Sequence, residues 1–292
     1  MSDVHEHVPK ERGSVWQADV ASIGILVLFV LLIYGIERFL QPTLGRSGLL
    51  VAGVIISIVP AFIWLAFFYR RDRLEPEPKH MVFQLFLLGA LLANGIGIPL
   101  VDGWFDVPNW LSSSPVLAQL LGGWLIVGMV QEFLVYAAVR FTIYNHAEFD
   151  EETDGVVYAT AAGIGFATVL NIAFVVNSGG VALGSGGIRI VLTTLAHAAF
   201  AGVIGYFLGR QKFEKRPLYW MPLGLMLAAG INSLFFYFRS MLSSGSIKVV
   251  GGAANPWLGL VLAIVLTGVV TALISRAIHN NVEEALAAVE EG

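Results

Sequence analysis

Eight stretches of this chain are apolar for long enough to cross a lipid bilayer: roughly 20–36, 48–69, 81–101, 116–139, 154–176, 188–208, 218–238 and 256–278. A hydrocarbon core about 30 Å thick takes about 20 helical residues, or about 9–11 residues of a tilted strand, to span. Inside it every backbone N–H and C=O must be paired by the protein itself. Blocks of this length therefore predict an all-α fold, a polytopic bundle of about eight transmembrane helices. The flanking charges orient it. With both termini in the cytoplasm, Lys10, Arg12, Arg70, Arg71, Arg73, Lys79, Arg140, Arg210, Lys212, Lys215, Arg216 and Arg276 lie inside. Only Arg38, Arg46, Arg189, Arg239 and Lys248 lie outside. That asymmetry follows the positive-inside rule, and the opposite orientation violates it.

Composition agrees and excludes several classes. Charged residues make up 13 % of the 292, against about 25 % in a soluble domain. The net charge of −4 and the placement of acidic residues in loops and at the C-terminus give nucleic acid nothing to bind. With no cysteine there is no disulfide, thiolate metal ligand or cysteine nucleophile. No small-residue cleavage site follows the first apolar block, which reads as a retained helix. The organisation is a cytoplasmic segment 1–19, one membrane-embedded domain 20–278, and an acidic cytoplasmic tail 279–292 able to form a short surface helix. The acidic loop at Phe149 leads into small residues at Gly155, Ala159, Ala161, Ala162, Gly163, Gly165 and Ala167. Such residues let helix backbones approach closely, so 154–176 is expected to be a central helix. Pro76 and Pro78 should break the chain before the third span. The segments 102–114 and 177–187, the second holding Gly179, Gly180, Gly184, Gly186 and Gly187, read as outer loops.

Ionisable residues at membrane depth are costly, about 2.5–3.5 kcal/mol each on insertion scales, and call for a reason. Two lie well inside predicted spans, Glu132 in the fourth and His197 in the sixth. At 1.5 Å per residue, Glu132 sits on the order of 12 Å and His197 roughly 18 Å from the inner helix ends, compatible with one shared pocket. The amides Asn94, Gln119, Gln131, Asn171 and Asn232 lie at membrane depth as well. A zinc hydrolase site needs about three His, Asp or Glu ligands, an open position for water and a carboxylate base. A structural pair, His197 donating to Glu132, needs only the two. A proton relay through the same residues, in a small transporter or channel, is a third reading, though no inverted repeat accompanies it. His5, His7, His146 and His279 lie in loops or near helix ends, and His80 at headgroup level. Thr193, one turn before His197, is expected to bond its own helix backbone. The glycines of 177–187 form no phosphate loop, having no strand before them and no lysine after.

Several of these residues fall into motifs. Leu74-Glu75-Pro76-Glu77-Pro78 precedes the third span, and Gln131-Glu132 lies in the fourth. Phe149-Asp150-Glu151 leads to Asp154-Gly155-Val156-Val157-Tyr158, followed by Gly165-Phe166-Ala167 ahead of Asn171. His197-Ala198-Ala199-Phe200 is followed by Gly202, Gly205, Tyr206 and Gly209. Over about 70–240 the chain resembles the PrsW family of intramembrane metalloproteases, within the group that includes the CAAX-processing proteases. The resemblance implies a membrane-embedded peptidase, with zinc as cofactor if active and transmembrane segments of membrane proteins as partners, placed as a multi-pass protein of the cell membrane. It also exposes departures. The family's EExxK motif reads Gln131-Glu132-Phe133-Leu134-Val135, and its FxxxE motif puts Leu170 four residues after Phe166. The later motif, with His four residues before Asp or Asn, reads Ala228 to Asn232. Of the implied catalytic pair, Gln131 is degenerate and Glu132 survives. Of the implied metal ligands, His197 and Glu132 survive, with Asn171 and Asn232 as the remaining amide donors. An amide is no general base near neutral pH, Leu170 cannot ligate metal, and amide oxygens are poor zinc ligands. The expectation is a family member impaired or inactive as a protease that binds membrane-protein partners. The alternative is an active zinc metallopeptidase with an altered ligand set.

Overall fold

A computed structural model describes residues 14–71, 77–243 and 255–290 of the chain, and among them there is helix and no strand. The segment 1–13 with its histidines, the motif residues Leu74, Glu75 and Pro76, and Lys248 lie outside the described residues. Helix α1 (Ser14–Gly35) runs on through a wide π-type turn, Ile36–Leu40. It is followed by α2 (Arg46–Arg71) and α3 (Lys79–Leu92), the latter prolonged by wide turns at Ala93–Gly97 and Pro99–Trp104. The fourth helix, α4, is built from Val116–Gly122, a widened stretch Gly123–Gly128, and Met129–Arg140. Then come α5 (Glu152–Asn177), α6 (Leu183–Phe213), α7 (Trp220–Ser243) and α8 (Pro256–Glu290). All eight are long and apolar enough to cross a membrane, so the protein is a multi-pass membrane protein. Eight crossings put the start of α1 and the end of α8 on one face, the near face; the connections after α1, α3 and α5 lie on the far face.

Helix α6 is the axis of the bundle and α5 is its main neighbour. Their crossing rests on glycine. A Cβ on Gly155 would overlap the Gly205 carbonyl oxygen, and one on Gly205 would overlap that of Gly155. The acidic entry to α5 is capped from within, since the Asp154 carboxylate accepts from the backbone N–H groups of Glu151 (2.6 Å) and Asp150 (2.9 Å). Lys212, in the last turn of α6, donates to the Phe149 carbonyl and ties that cap to the axis.

Two predicted loops are partly helical. The segment after α3 contains a turn at Val107–Trp110 and a tighter one at Leu111–Ser113, folded back by a 2.8 Å bond from Trp110 Nε1 to the Phe105 carbonyl. Helix α6 begins at Leu183, so Gly184, Gly186 and Gly187 are helical. The absent side chains of Gly184 and Gly187 admit α1: a Cβ at Gly184 would lie 2.9 Å from Tyr34, and Gly187 faces Ile33. Tertiary packing outweighs their poor helix propensity. The turn itself falls at Gly179 (φ +66°) and Gly180 (φ +105°), a backbone that glycine adopts without strain. At the other end Pro78 sits just before α3, as the predicted break requires.

Candidate functional site

Helix α4 carries Gln131 and Glu132 on its buried side, and α7 is pressed against it. Glycine again sets the distance: a Cβ on Gly128 would lie 2.6 Å from the Ala229 carbonyl oxygen, and one on Gly123 2.6 Å from Ser233 Oγ. Two bonds pin the interface, Trp124 Nε1 to the Met226 carbonyl (2.8 Å) and Ser233 Oγ to the Leu120 carbonyl (2.9 Å). This approach delivers Asn232 to the centre. Its Nδ2 donates to both Gln131 Oε1 and Glu132 Oε1, each at 2.9 Å. Glu132, Asn232 and Gln131 are all buried.

His197, on α6, is enclosed by Phe166 of α5, Phe200 of its own helix and Phe236 of α7, with ring centroids 5.5–6.0 Å away. The anticipated bond from His197 to Glu132 is not formed. Glu132 Oε2, His197 Nε2 and Asn232 Oδ1 are each buried without a hydrogen-bond partner. Asn171 is turned toward α6, where its Nδ2 donates to the Ile190 carbonyl (3.1 Å) and Thr194 Oγ1 (3.3 Å). Thr193 bonds the Arg189 carbonyl at 2.9 Å, as the backbone-bonding reading requires. Leu170 packs in an apolar cluster with Ala93, Leu134 and Phe166. A cavity of about 320 Å³ leads from the far face to this centre, lined by Leu111, Gln119, Gly123, Asn232, Phe236 and Tyr237 among others.

Sequence reasoning tied Glu77 to a motif but not to a partner. The structure gives it two: Tyr158 donates its hydroxyl to Glu77 Oε2, and the Asp154 carboxyl shares a hydrogen bond with it. Glu77 and the entry of α5 thus form one polar cluster at the near face. Burial first, then the shared bond with Asp154, pushes the Glu77 carboxyl up from 4.5 to about 9. A carboxyl raised on folding contributes stability that is complete below its unfolded value and is lost as pH rises through the folded one. The melting temperature in detergent should therefore fall between pH 6 and 9, and Glu77→Gln, neutral throughout and still a donor, should flatten that slope. An unchanged slope in the variant would remove Glu77 as its source.

An eight-helix membrane bundle with a carboxylate, an imidazole and an amide at its centre fits an intramembrane peptidase scaffold, and comparison assigns the family. A model described as PrsW family intramembrane metalloprotease matches residues 77–274, and the chain belongs to that family. Among its relatives, Protease PrsW of Bacillus subtilis (strain 168) is 28 % identical over 190 residues, covering 64 % of this chain and 83 % of the relative. Protease PrsW of Halalkalibacterium halodurans is 30 % identical over 185 residues (61 % and 79 %), and that of Geobacillus kaustophilus 30 % over 180 residues (61 % and 76 %). No solved structure matches.

The family implies a metal, and the residues present can be tested for it. A catalytic zinc takes about three ligands from His, Asp, Glu or Cys. Among the described residues no three such side chains gather as a ligand set. The unpartnered buried donors are Glu132 Oε2 and His197 Nε2, with Asn232 Oδ1 as a weak third. Leu170, four residues after Phe166, is held in an apolar cluster and offers no ligand. This donor set does not fit a three-ligand catalytic zinc.

Proposed function

We propose that this chain is a PrsW-family member impaired or inactive as a protease, which acts in the cell membrane by holding transmembrane segments of partner proteins. The observation that carries the reading is the Asn232 amide, which engages both residues standing at the family's paired-glutamate motif. A carboxylate used in this way joins two helices. Such interhelical bonds are the usual role of polar groups in membrane bundles. The cavity between α4, α7 and the turn after α3 has apolar walls at Val107, Leu111 and Val127, the lining that an apolar partner helix would meet.

Elemental analysis of the purified full-length protein tests the proposal. It should contain well under one zinc per chain, with no change in His197→Ala. Restoring the motif carboxylates together, Gln131→Glu with Leu170→Glu, should raise zinc toward one per chain. Stoichiometric zinc in the unmodified protein, lost in His197→Ala, would overturn the inactive reading. It would favour the active metallopeptidase with an altered ligand set, a reading supported by the unpartnered Glu132 Oε2, His197 Nε2 and Asn232 Oδ1.

A further inference from the structure

A second cavity opens at the far face, away from Glu132 and His197. It encloses about 340 Å³ between the end of α5, the first turns of α6, the end of α7 and the start of α8. Two arginines line it, Arg189 of α6 and Arg239 of α7. The remaining walls are small or apolar, with Phe174, Ser185, Leu192 and Pro256 among them, and no carboxylate. Among the described residues neither guanidinium has a hydrogen bond or ion pair. The undescribed stretch 244–254 holds no acidic residue to supply one. Glu37 is engaged elsewhere, its carboxylate accepting from the Gly184 N–H at the start of α6.

Two uncompensated cations in one membrane-level cavity repel each other and are costly to bury. Their geometry is that of recognition. The Arg189 guanidinium lies over the Phe174 ring, 3.4 Å from its centroid, and Arg239 stands 5.6 Å from the Phe236 ring. Stacking occupies the flat face of a guanidinium and leaves its in-plane N–H forks free for a tetrahedral oxyanion. Arg189 lies six residues into α6, about 9 Å from its start, close to headgroup depth. Apolar walls beside a dicationic pocket suit a phosphate that carries acyl chains. We propose that Arg189 and Arg239 form a phosphate-binding site, filled by the phosphodiester of an anionic phospholipid or by free phosphate.

The test is native mass spectrometry of the full-length protein in detergent, titrated separately with phosphatidylglycerol, phosphatidylcholine and inorganic phosphate. Retained phosphatidylglycerol should exceed phosphatidylcholine, and Arg189→Gln with Arg239→Gln should weaken the preferred ligand by about tenfold or more, as expected when charge-assisted contacts are lost. If phosphate alone is retained, with the same dependence on the two arginines, the site stands and its source is the free ion. Should the double variant fail to fold, Arg239→Lys keeps the charge but loses the fork, and weaker retention is expected there too. Equal retention of the two lipids with no phosphate bound, or a preference that survives the substitutions, would overturn the proposal.

Discussion

Gly165→Ala should leave little folded protein in detergent, although it adds a single methyl group. A Cβ at Gly165 would overlap the carbonyl oxygen of Phe86 on α3, and one at Gly89 would overlap that of Ala162 on α5. The two glycines lie on opposite helices of one crossing, so either substitution drives α3 from α5. The obstructing atoms are backbone, and no rotamer change can move them aside. Close-packed interiors yield little to added volume, and overpacking by a methylene or so costs about 1–3 kcal/mol even where side chains can adjust. With backbone in the way the loss should reach or exceed about 3 kcal/mol, a large share of a typical 5–15 kcal/mol. Gly268→Ala provides the control, since a Cβ there meets nothing within 4 Å. It should be neutral or slightly stabilising, because alanine is the better helix former. Fluorescence-detected size exclusion and thermal unfolding read both variants. If Gly165→Ala and Gly89→Ala melt where Gly268→Ala melts, the close crossing of α3 and α5 is wrong.

That crossing was half legible in the sequence. The small residues of 154–176 announced a helix that others approach closely, and α5 is such a helix. That α6 is the axis was harder to see, because hydropathy measures depth in the membrane and cannot tell a lipid-facing apolar residue from a protein-facing one. A signal was present in Gly184, Gly186, Gly187, Gly202, Gly205 and Gly209. The first three read as loop residues in the sequence, since glycine is a poor helix former until a neighbouring helix needs the space. The centre shows the same division. Glu132, Gln131, Asn232 and His197 stood out as polar groups at membrane depth, yet depth is one coordinate, and it made His197 a plausible partner for Glu132. The glycines of α4 decide otherwise by admitting α7, which puts Asn232 at the carboxylate and leaves the histidine among phenylalanines. The arginine pair is not legible in the sequence, because Arg189 and Arg239 are fifty residues apart and each by itself reads as an ordinary interfacial cation.

Asn232→Leu should be the most damaging polar-to-apolar change at the centre. An average interhelical hydrogen bond in a membrane is worth only about 0.6 kcal/mol, because the unfolded chain in the bilayer also finds partners. Two such bonds would total about 1 kcal/mol on that scale. Glu132 raises the cost. Its Oε1 depends on Asn232, and its Oε2 has no partner already. Removing the amide leaves a buried carboxyl with no hydrogen bond at all, and leaving a buried polar group unsatisfied in this way costs about 1–3 kcal/mol. Removing both partners should cost far less, because replacing a polar pair by apolar groups of similar shape can be nearly neutral. Glu132→Leu combined with Asn232→Leu should therefore recover most of the stability that Asn232→Leu alone forfeits. The cycle is read by thermal unfolding of the four proteins in one detergent. Simple additivity of the two losses would show that Asn232 and Glu132 are not coupled. Recovery in the double variant would identify Glu132 as a residue that the bundle must satisfy, and Asn232 as the side chain that satisfies it.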